Sequence, residues 1–338
     1  MKYIPRLLRR IFYVLFWAVW LLVLLPYFFP LHFPLQNFNQ LPFKESRYLN
    51  YHHTQVHYRI FPAKADTTLS PVFLIHGFSG STASWRYVIP ELNQSGRSVV
   101  AIDLPPFGYS DKRVSANLAD SAWVNMIRDV MDTSQRELNL KENQKWIIAG
   151  HSMGGMVIGA FASAYPEKVK GMIYVDGTSP ESDGIKNNSM LLTSAYLRLG
   201  FLHRWADVMM EKVIFSEKRF NELLSSAYLR EVSEEEVKIY MDPFHFRGSA
   251  SAVLRFASQS GYAKVDWKIL ETIPKCLVWG REDQWIPVSG AEKFLNDHLG
   301  IIGRFIEGAG HCPMETHPEQ FNQMLLNDFI PILDPAGD

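Results

Sequence analysis

The chain has 338 residues, 47% of them hydrophobic and 20% charged, and its 34 Lys and Arg nearly balance 35 Asp and Glu for a formal net charge of −1. That balance, with no basic patch interleaved with aromatics, excludes a nucleic-acid partner gripped by phosphate charge. Two cysteines provide no disulfide framework, and the residues beyond the apolar N-terminal segment suffice for one catalytic unit with an inserted lid.

The first element in chain order is an uncharged apolar run, Ile11 to Phe29, in which thirteen of nineteen residues are Ile, Leu, Val or Phe. At about 1.5 Å per residue it nearly crosses a hydrocarbon core of about 30 Å, so residues 11–29 are expected to be a transmembrane signal anchor. A cleavable signal peptide is the competing reading. It needs a small-residue cleavage site, and no Ala, Gly or Ser occurs from Tyr27 to Gln40. Lys2, Arg6, Arg9 and Arg10 lie before the run and the next basic residue after it is Lys44. The positive-inside rule then keeps residues 1–10 cytoplasmic and sends the large domain across the membrane. Residues 30–43, with three prolines and several Asn and Gln, read as an irregular tether reaching at most about 50 Å.

Arg47 to Phe61 alternates as an antiparallel hairpin, with His52, His53 and His57 expected to be exposed strand residues and not metal ligands. Pro71 to Ile75 is a continuous apolar strand that ends in the Gly-rich loop His76-Gly77-Phe78-Ser79-Gly80-Ser81 and leads into a helix from Trp85 to Leu92. Backbone N–H groups in such a loop stabilise an oxyanion without adding charge to the ground state. The expected donors are the N–H of Phe78 and the N–H of Met153, with His76 bracing the loop. A strand follows at Ser98 to Leu104 and an amphipathic helix at Ala119 to Leu138.

Lys145 to Ala149 is apolar but for its first residue, and runs straight into Gly150-His151-Ser152-Met153-Gly154, after which a small-residue helix continues to Ala164. A serine hydroxyl is a poor nucleophile unless a base lies within hydrogen-bond reach and the backbone projects it outward. A tight strand-to-helix elbow meets the second need, and Gly150 and Gly154 leave room for it. Ser152 is therefore the expected nucleophile. Gly171 to Val175 is a further strand, followed by Asp176. From 180 to 265 the pattern is helical throughout, with Phe201, Trp205, Met209, Met210, Phe215, Phe220, Phe244 and Phe246 recurring; most should pack between helices and a minority line an acyl channel. The strand Cys276 to Gly280 leads to Asp283, and the short strand Arg304 to Ile306 leads to His311. In a parallel sheet all such loops gather on one edge. Ser152, then Asp283, then His311 is one of the three chain orders in which a serine triad occurs. Asp176 is the rival acid and Glu282 a third candidate. Cys312, beside the histidine, reads as small packing.

His76-Gly77-Phe78, the stretch Asp103-Leu104-Pro105-Pro106-Phe107-Gly108-Tyr109-Ser110, the elbow, Gly280 with Asp283 and Pro287, and Gly310-His311 together resemble the α/β-hydrolase family over residues 45 to 332. Pro106 stands where that family usually has Gly, a departure that concerns the loop near the site entrance. The resemblance implies an α/β fold: a mostly parallel sheet flanked by helices, core segments 44–179 and 266–332, and an inserted helical cap at 180–265. The branch resembled is that of esterases, monoacylglycerol lipases and C–C hydrolases. Relatives that open epoxides or dehalogenate carry aspartate at the elbow, which Ser152 replaces, and proline iminopeptidases carry His-Gly-Gly-Pro-Gly in the oxyanion loop. The expectation is a membrane-anchored serine hydrolase that cleaves carboxyl esters with an apolar acyl chain, without cofactor or metal. Acyl transfer and C–C bond hydrolysis use the same three residues; a catalytically silent scaffold is the alternative of another class.

Overall fold

The computed structural model describes residues 6–64, 68–112, 120–177, 200–259, 265–298 and 300–335. Eight strands form one sheet in the order β1-β2-β4-β3-β5-β6-β7-β8. They are β1 (Ser46–Tyr51), β2 (Thr54–Phe61), β3 (Val72–Ile75), β4 (Val99–Ile102), β5 (Trp146–His151), β6 (Val169–Val175), β7 (Lys275–Gly280) and β8 (Ile302–Ile306). β1 pairs antiparallel with β2 and β2 antiparallel with β4; every other pairing is parallel. All residues of β3, β4, β5 and β7 are buried. Helices cover both faces of such strands, which is why they read as continuous apolar runs and not as alternating ones.

Helices α2 (Ile89–Gln94), α3 (Asp120–Glu137) and α4 (Met153–Ala164) pack on the sheet. Between β6 and β7 the described part of the cap, 200–259, is helical: α5 (Gly200–Met209), extended by a wider turn over Met210–Ile214, then α6 (Glu217–Tyr228), α7 (Glu234–Met241) and α8 (Ser249–Gln259). Residues 180–199 of the expected cap lie outside the described residues. Ser233 caps α7, accepting from the N–H of Glu236 while the Glu236 carboxylate accepts from the N–H of Ser233. Helices α9 (Trp267–Leu270) and α10 (Val288–Asp297) flank β7 in sequence.

The parallel strands end level. Ile75 is in register with Gly150, His151 with Val175, Val175 with Val278, and Gly280 with Ile306. The segments that follow these strand ends carry Phe78, Ser152, Asp176, Asp283 and His311, so the register alone brings those residues to one edge.

One expectation is corrected, that for the three histidines of the first hairpin. His57 is not exposed: it is wholly buried, its Nδ1 2.7 Å from Asp103 Oδ2 and its Nε2 2.7 Å from Ser46 Oγ. The face of β2 that carries His57 is covered locally: the rings of Tyr48 and Tyr109 lie 5.3 and 5.8 Å from the imidazole. His52 and His53 are exposed, but they form the β1–β2 turn with positive φ of 44° and 68° and do not belong to a strand. Residues 30–43 are irregular and are fastened along the domain. The N–H of Arg247 donates to Pro34 O at 2.8 Å, Gln36 Nε2 to Tyr109 O at 2.5 Å, and the Arg59 guanidinium sits 4.1 Å over the Phe43 ring. The apolar run itself is α1 (Arg6–Leu24), with Leu25–Phe28 as a tighter turn, since Pro26 cannot continue the helix.

Candidate active site

Ser152 lies between β5 and α4 with φ 52° and ψ −119°, a backbone conformation that a non-glycine residue adopts only when its surroundings impose it. Those surroundings are close backbone contacts. A Cβ on Gly150 would lie 2.2 Å from Gly154 O, and one on Gly154 would lie 2.5 Å from Ile75 O. The Ser152 N–H donates to Val175 O at 2.9 Å, which ties the elbow to β6. The turn leaves the hydroxyl half-buried and facing His311, with Oγ 2.9 Å from Nε2.

His311 Nδ1 lies 2.8 Å from Asp283 Oδ2. The other Asp283 oxygen accepts from the N–H groups of Trp285 at 2.7 Å and Ile286 at 3.0 Å. Burial raises the Asp283 pKa, but His311 and these two N–H groups outweigh it and hold the carboxyl below its ordinary value. Asp283 is thus an anion aimed at the imidazole. Asp176 sits alongside it, wholly buried, with one oxygen accepting from the Gly280 N–H at 2.9 Å. Burial first, and the Asp283 charge second, raise the Asp176 carboxyl well above the usual carboxylate range, which favours its protonated form. One donor atom each from Asp176, Asp283 and His311 lies within 4.8 Å of the others, and their contacts with one another account for that closeness. Glu282 is exposed.

The loop after β3 lies against the elbow: a Cβ on Gly77 would lie 2.9 Å from Ser152 Cβ. The peptide that carries the Phe78 N–H is therefore next to the serine. Met153 opens α4, where the first N–H groups of a helix have no intrahelical acceptor. His76 is buried and neutral. Its Nε2 accepts from the Leu104 N–H at 2.9 Å, so its Nδ1–H donates to Gly77 O at 2.7 Å, which holds this loop against the neighbouring one.

That neighbouring loop turns on Asp103, which accepts from the N–H of Thr82 at 2.6 Å and of Tyr109 at 2.7 Å, and also meets His57. Lys112 Nζ, buried, donates to the carbonyls of Pro106 and Gly108 at 2.7 and 2.5 Å. Pro106 is accommodated there, and the Phe107 ring lies 5.1 Å from Phe78 and 5.2 Å from Phe256 of the cap. Phe215, Phe220 and Phe244 form a buried cluster, and Phe244 reaches Phe107 at 6.5 Å. Trp205 and Met209 belong to a different face, turned toward α1 and solvent.

Several residues at the site carried no local signal in the sequence. His151, the variable residue of the elbow, is pushed down to about 3, by burial and then by His311, and as a neutral ring its Nε2–H donates to His311 O at 2.7 Å. The Trp285 ring stacks on His311 at 5.1 Å and 27°, while its Nε1–H donates to Ser226 Oγ of α6 at 2.9 Å. The His311 N–H donates to Ala227 O, also in α6, at 2.8 Å. Buried Glu315 accepts from Arg86, from Tyr228 at the end of α6 at 2.7 Å, and from Tyr240 of α7. Cap and histidine loop are thus one bonded unit. Burial, with Glu315 next in effect, pushes the Cys312 thiol well above its ordinary pKa, so it stays protonated.

The chain belongs to the α/β-hydrolase fold family, whose sequence profile matches residues 70–318. Among its relatives is the Escherichia coli (strain K12 / DH10B) 2-hydroxy-6-oxononadienedioate/2-hydroxy-6-oxononatrienedioate hydrolase, 24% identical over 274 residues, which are 76% of this chain and 85% of that protein. Similar solved structures include a meta-cleavage product hydrolase from Pseudomonas fluorescens, with TM-score 0.61 and 21% identity over 82% of this chain and 95% of that one. A putative aryl esterase from Burkholderia cenocepacia has TM-score 0.59 and 18% identity, covering 83% and 96%. At these identities the structures share the fold.

Proposed function

We propose that the protein is a serine hydrolase that cleaves carboxyl esters with apolar acyl chains through an acyl-enzyme on Ser152. The observation that carries this reading is the continuous relay Ser152 Oγ, His311 Nε2, His311 Nδ1 and Asp283 Oδ2, with spacings of 2.9 and 2.8 Å. Ser152 Oγ attacks the ester carbonyl while His311 takes its proton, and Asp283 holds the tautomer and stabilises the imidazolium. The N–H groups of Phe78 and Met153 receive the oxyanion. His311 then protonates the departing alcohol, and a water molecule activated by the same histidine releases the acid. Asp176 lies beside Asp283, and the relay to the imidazole runs through Asp283.

The apolar acyl chain follows from the rings of Phe78, Phe107 and Phe256 gathered beside the oxyanion loop. C–C bond hydrolysis is the second reading, favoured by the names of the E. coli and P. fluorescens proteins. A nonadienedioate brings two carboxylates, for which that ring cluster is a poor environment. A fluorophosphonate probe tests the chemistry: it should label the protein, and Ser152→Ala should abolish labelling without unfolding it. Equal labelling of the variant sinks the assignment. Turnover of a dienedioate in preference to an acyl ester would replace the first reading by the second.

In this reading α1 is an uncleaved anchor with its basic N-terminus cytoplasmic and the catalytic domain across the membrane. Its support is one helical segment, Leu7–Phe28, long and apolar enough to span a bilayer, together with the four basic residues at its start. The substrate would then be a lipid ester of the monoacylglycerol kind.

A further inference from the structure

The apolar helix and the cap are bonded to each other, and the bonds lie at the point where the chain would leave a membrane. Trp205 Nε1–H, on α5, donates to Leu22 O at 2.7 Å. The Arg204 guanidinium donates to Pro26 O at 3.2 Å and to Phe29 O at 2.5 Å. Three residues further on, the His32 N–H donates to the Glu211 carboxylate at 2.9 Å. The last helical turn of α1, the turn that follows it and the first irregular residues are all held against one cap segment, residues 204–211.

That segment carries an apolar stripe. Trp205, Met209 and Val213 recur every fourth residue and therefore share a face. Met209, Val213 and the adjoining Ile214 are 48%, 36% and 45% exposed, and Phe28, in the turn fastened to α5, is 79% exposed. The other side of α5 is internal, with Val208 buried and Asp207 accepting from Ser251 of α8 at 3.1 Å. The stripe begins with the tryptophan that grips α1, so the exposed apolar residues of the cap segment lie close to the end of that helix.

We propose that this cap surface, Trp205, Met209, Val213 and Ile214, lies in the interfacial layer of the bilayer that α1 enters, so that anchor and cap form a single membrane-facing face. The inference rests on the reading of α1 as an anchor and deepens it. The occupant is lipid because a spanning helix has its end bonded directly to α5, and a surface held within a side chain's length of that end lies at the headgroup and acyl boundary. Amphipathic helices bury their apolar faces about 5–10 Å into this layer, and tryptophan favours it. The functional consequence is that a lipid ester reaches the cap by lateral movement in the bilayer and not through water.

The test uses the full-length protein in phosphatidylcholine proteoliposomes. An environment-sensitive fluorophore on Ile214→Cys should be quenched by lipids brominated near the top of the acyl chain, whereas the same label on Lys141→Cys should not. In parallel, the triple variant Met209→Asp, Val213→Asp, Ile214→Asp should lose about tenfold or more activity on a bilayer-embedded ester and less than twofold on a dispersed short-chain ester. Carbonate extraction of the unmodified protein separates the two levels of failure. Release by carbonate overturns the anchor reading itself. Retention with no quenching at residue 214 overturns the cap surface and leaves the anchor standing. Self-quenching between labelled copies without lipid quenching assigns the face to a second copy and likewise overturns the proposal. The quenching arm does not depend on the ester assignment.

Discussion

The edge of the sheet that carries Ser152 and the cap that covers it are held by different forces. At the edge, backbone packs on backbone: Gly150 against Gly154, Gly154 against Ile75, and Gly280 against Gly310, each too close for a Cβ. In the cap, aromatic rings and a few buried polar groups make the joins, chiefly Glu315 with Arg86, Tyr228 and Tyr240. Close packing of backbone tolerates no displacement, so the reacting atoms keep their geometry. Side-chain joins can be exchanged more freely, which places variation in substrate access on the cap. The two regions nevertheless meet at His311, whose N–H is bonded to Ala227 of α6.

The sharpest way to break this contrast is at the edge. Ser152→Ala should reduce kcat by about 10⁶, as expected when a triad nucleophile is lost, with the melting temperature little changed. Asp283→Asn should reduce kcat by about 10⁴ by favouring the wrong tautomer of His311. Comparing it with Asp176→Asn sharpens the assignment of the acid: the latter should keep kcat within a few-fold, because the His311 imidazole is bonded to Asp283. A reversal of these two effects in steady-state kinetics moves the acid to the end of β6.

Asp176→Asn should also alter the dependence of stability on pH. Asp176 has a raised pKa in the folded protein, so the native state holds a proton that the unfolded state has already released above about pH 4. Its contribution is therefore full below the unfolded pKa and declines as pH rises above it. Removing the titrating group should flatten the fall in melting temperature as pH rises above about 4, as thermal denaturation would show.

On the cap side the largest effect belongs to Glu315. Glu315→Gln leaves the partly buried Arg86 without its countercharge and should destabilise the protein by about 3–5 kcal/mol in denaturant titrations. The smallest effect is expected at Trp285, whose ring faces the imidazolium formed during turnover. Trp285→Leu should lower kcat about 2–5-fold, consistent with a cation–π contribution of about 0.5–1 kcal/mol, and Trp285→Phe should recover most of it. If Phe and Leu behave alike, the bond to Ser226 matters and the ring does not.

The amino-acid order by itself determined the elements whose signals are local. Continuous apolar runs marked β3, β5, β6 and β7, because strands covered on both faces need no alternation. The elbow was legible in five residues, because a strained turn depends on its immediate neighbours, and α1 was legible because a membrane-length apolar run needs no partner to declare itself. The level strand ends that gather Ser152, Asp283 and His311 followed once the sheet was read as parallel.

Only the tertiary structure decided which distant groups meet. His57 passed for an exposed strand residue because nothing within its own segment shows that Asp103, 46 positions away, closes over it. The ionic forms of Asp176 and Asp283 depend on burial and on neighbouring charges, and both follow the end of a buried strand in sequence. The segment after α1 read as a tether because its prolines and amides are what a linker carries; the bond from the Arg247 N–H to Pro34 O, from a part of the chain far off in sequence, fixes its course. The physical reason is common to all three. Backbone conformation is set within a few residues, whereas desolvation, charge and side-chain pairing are set by whatever the fold brings near, and that is not written in any one stretch of chain.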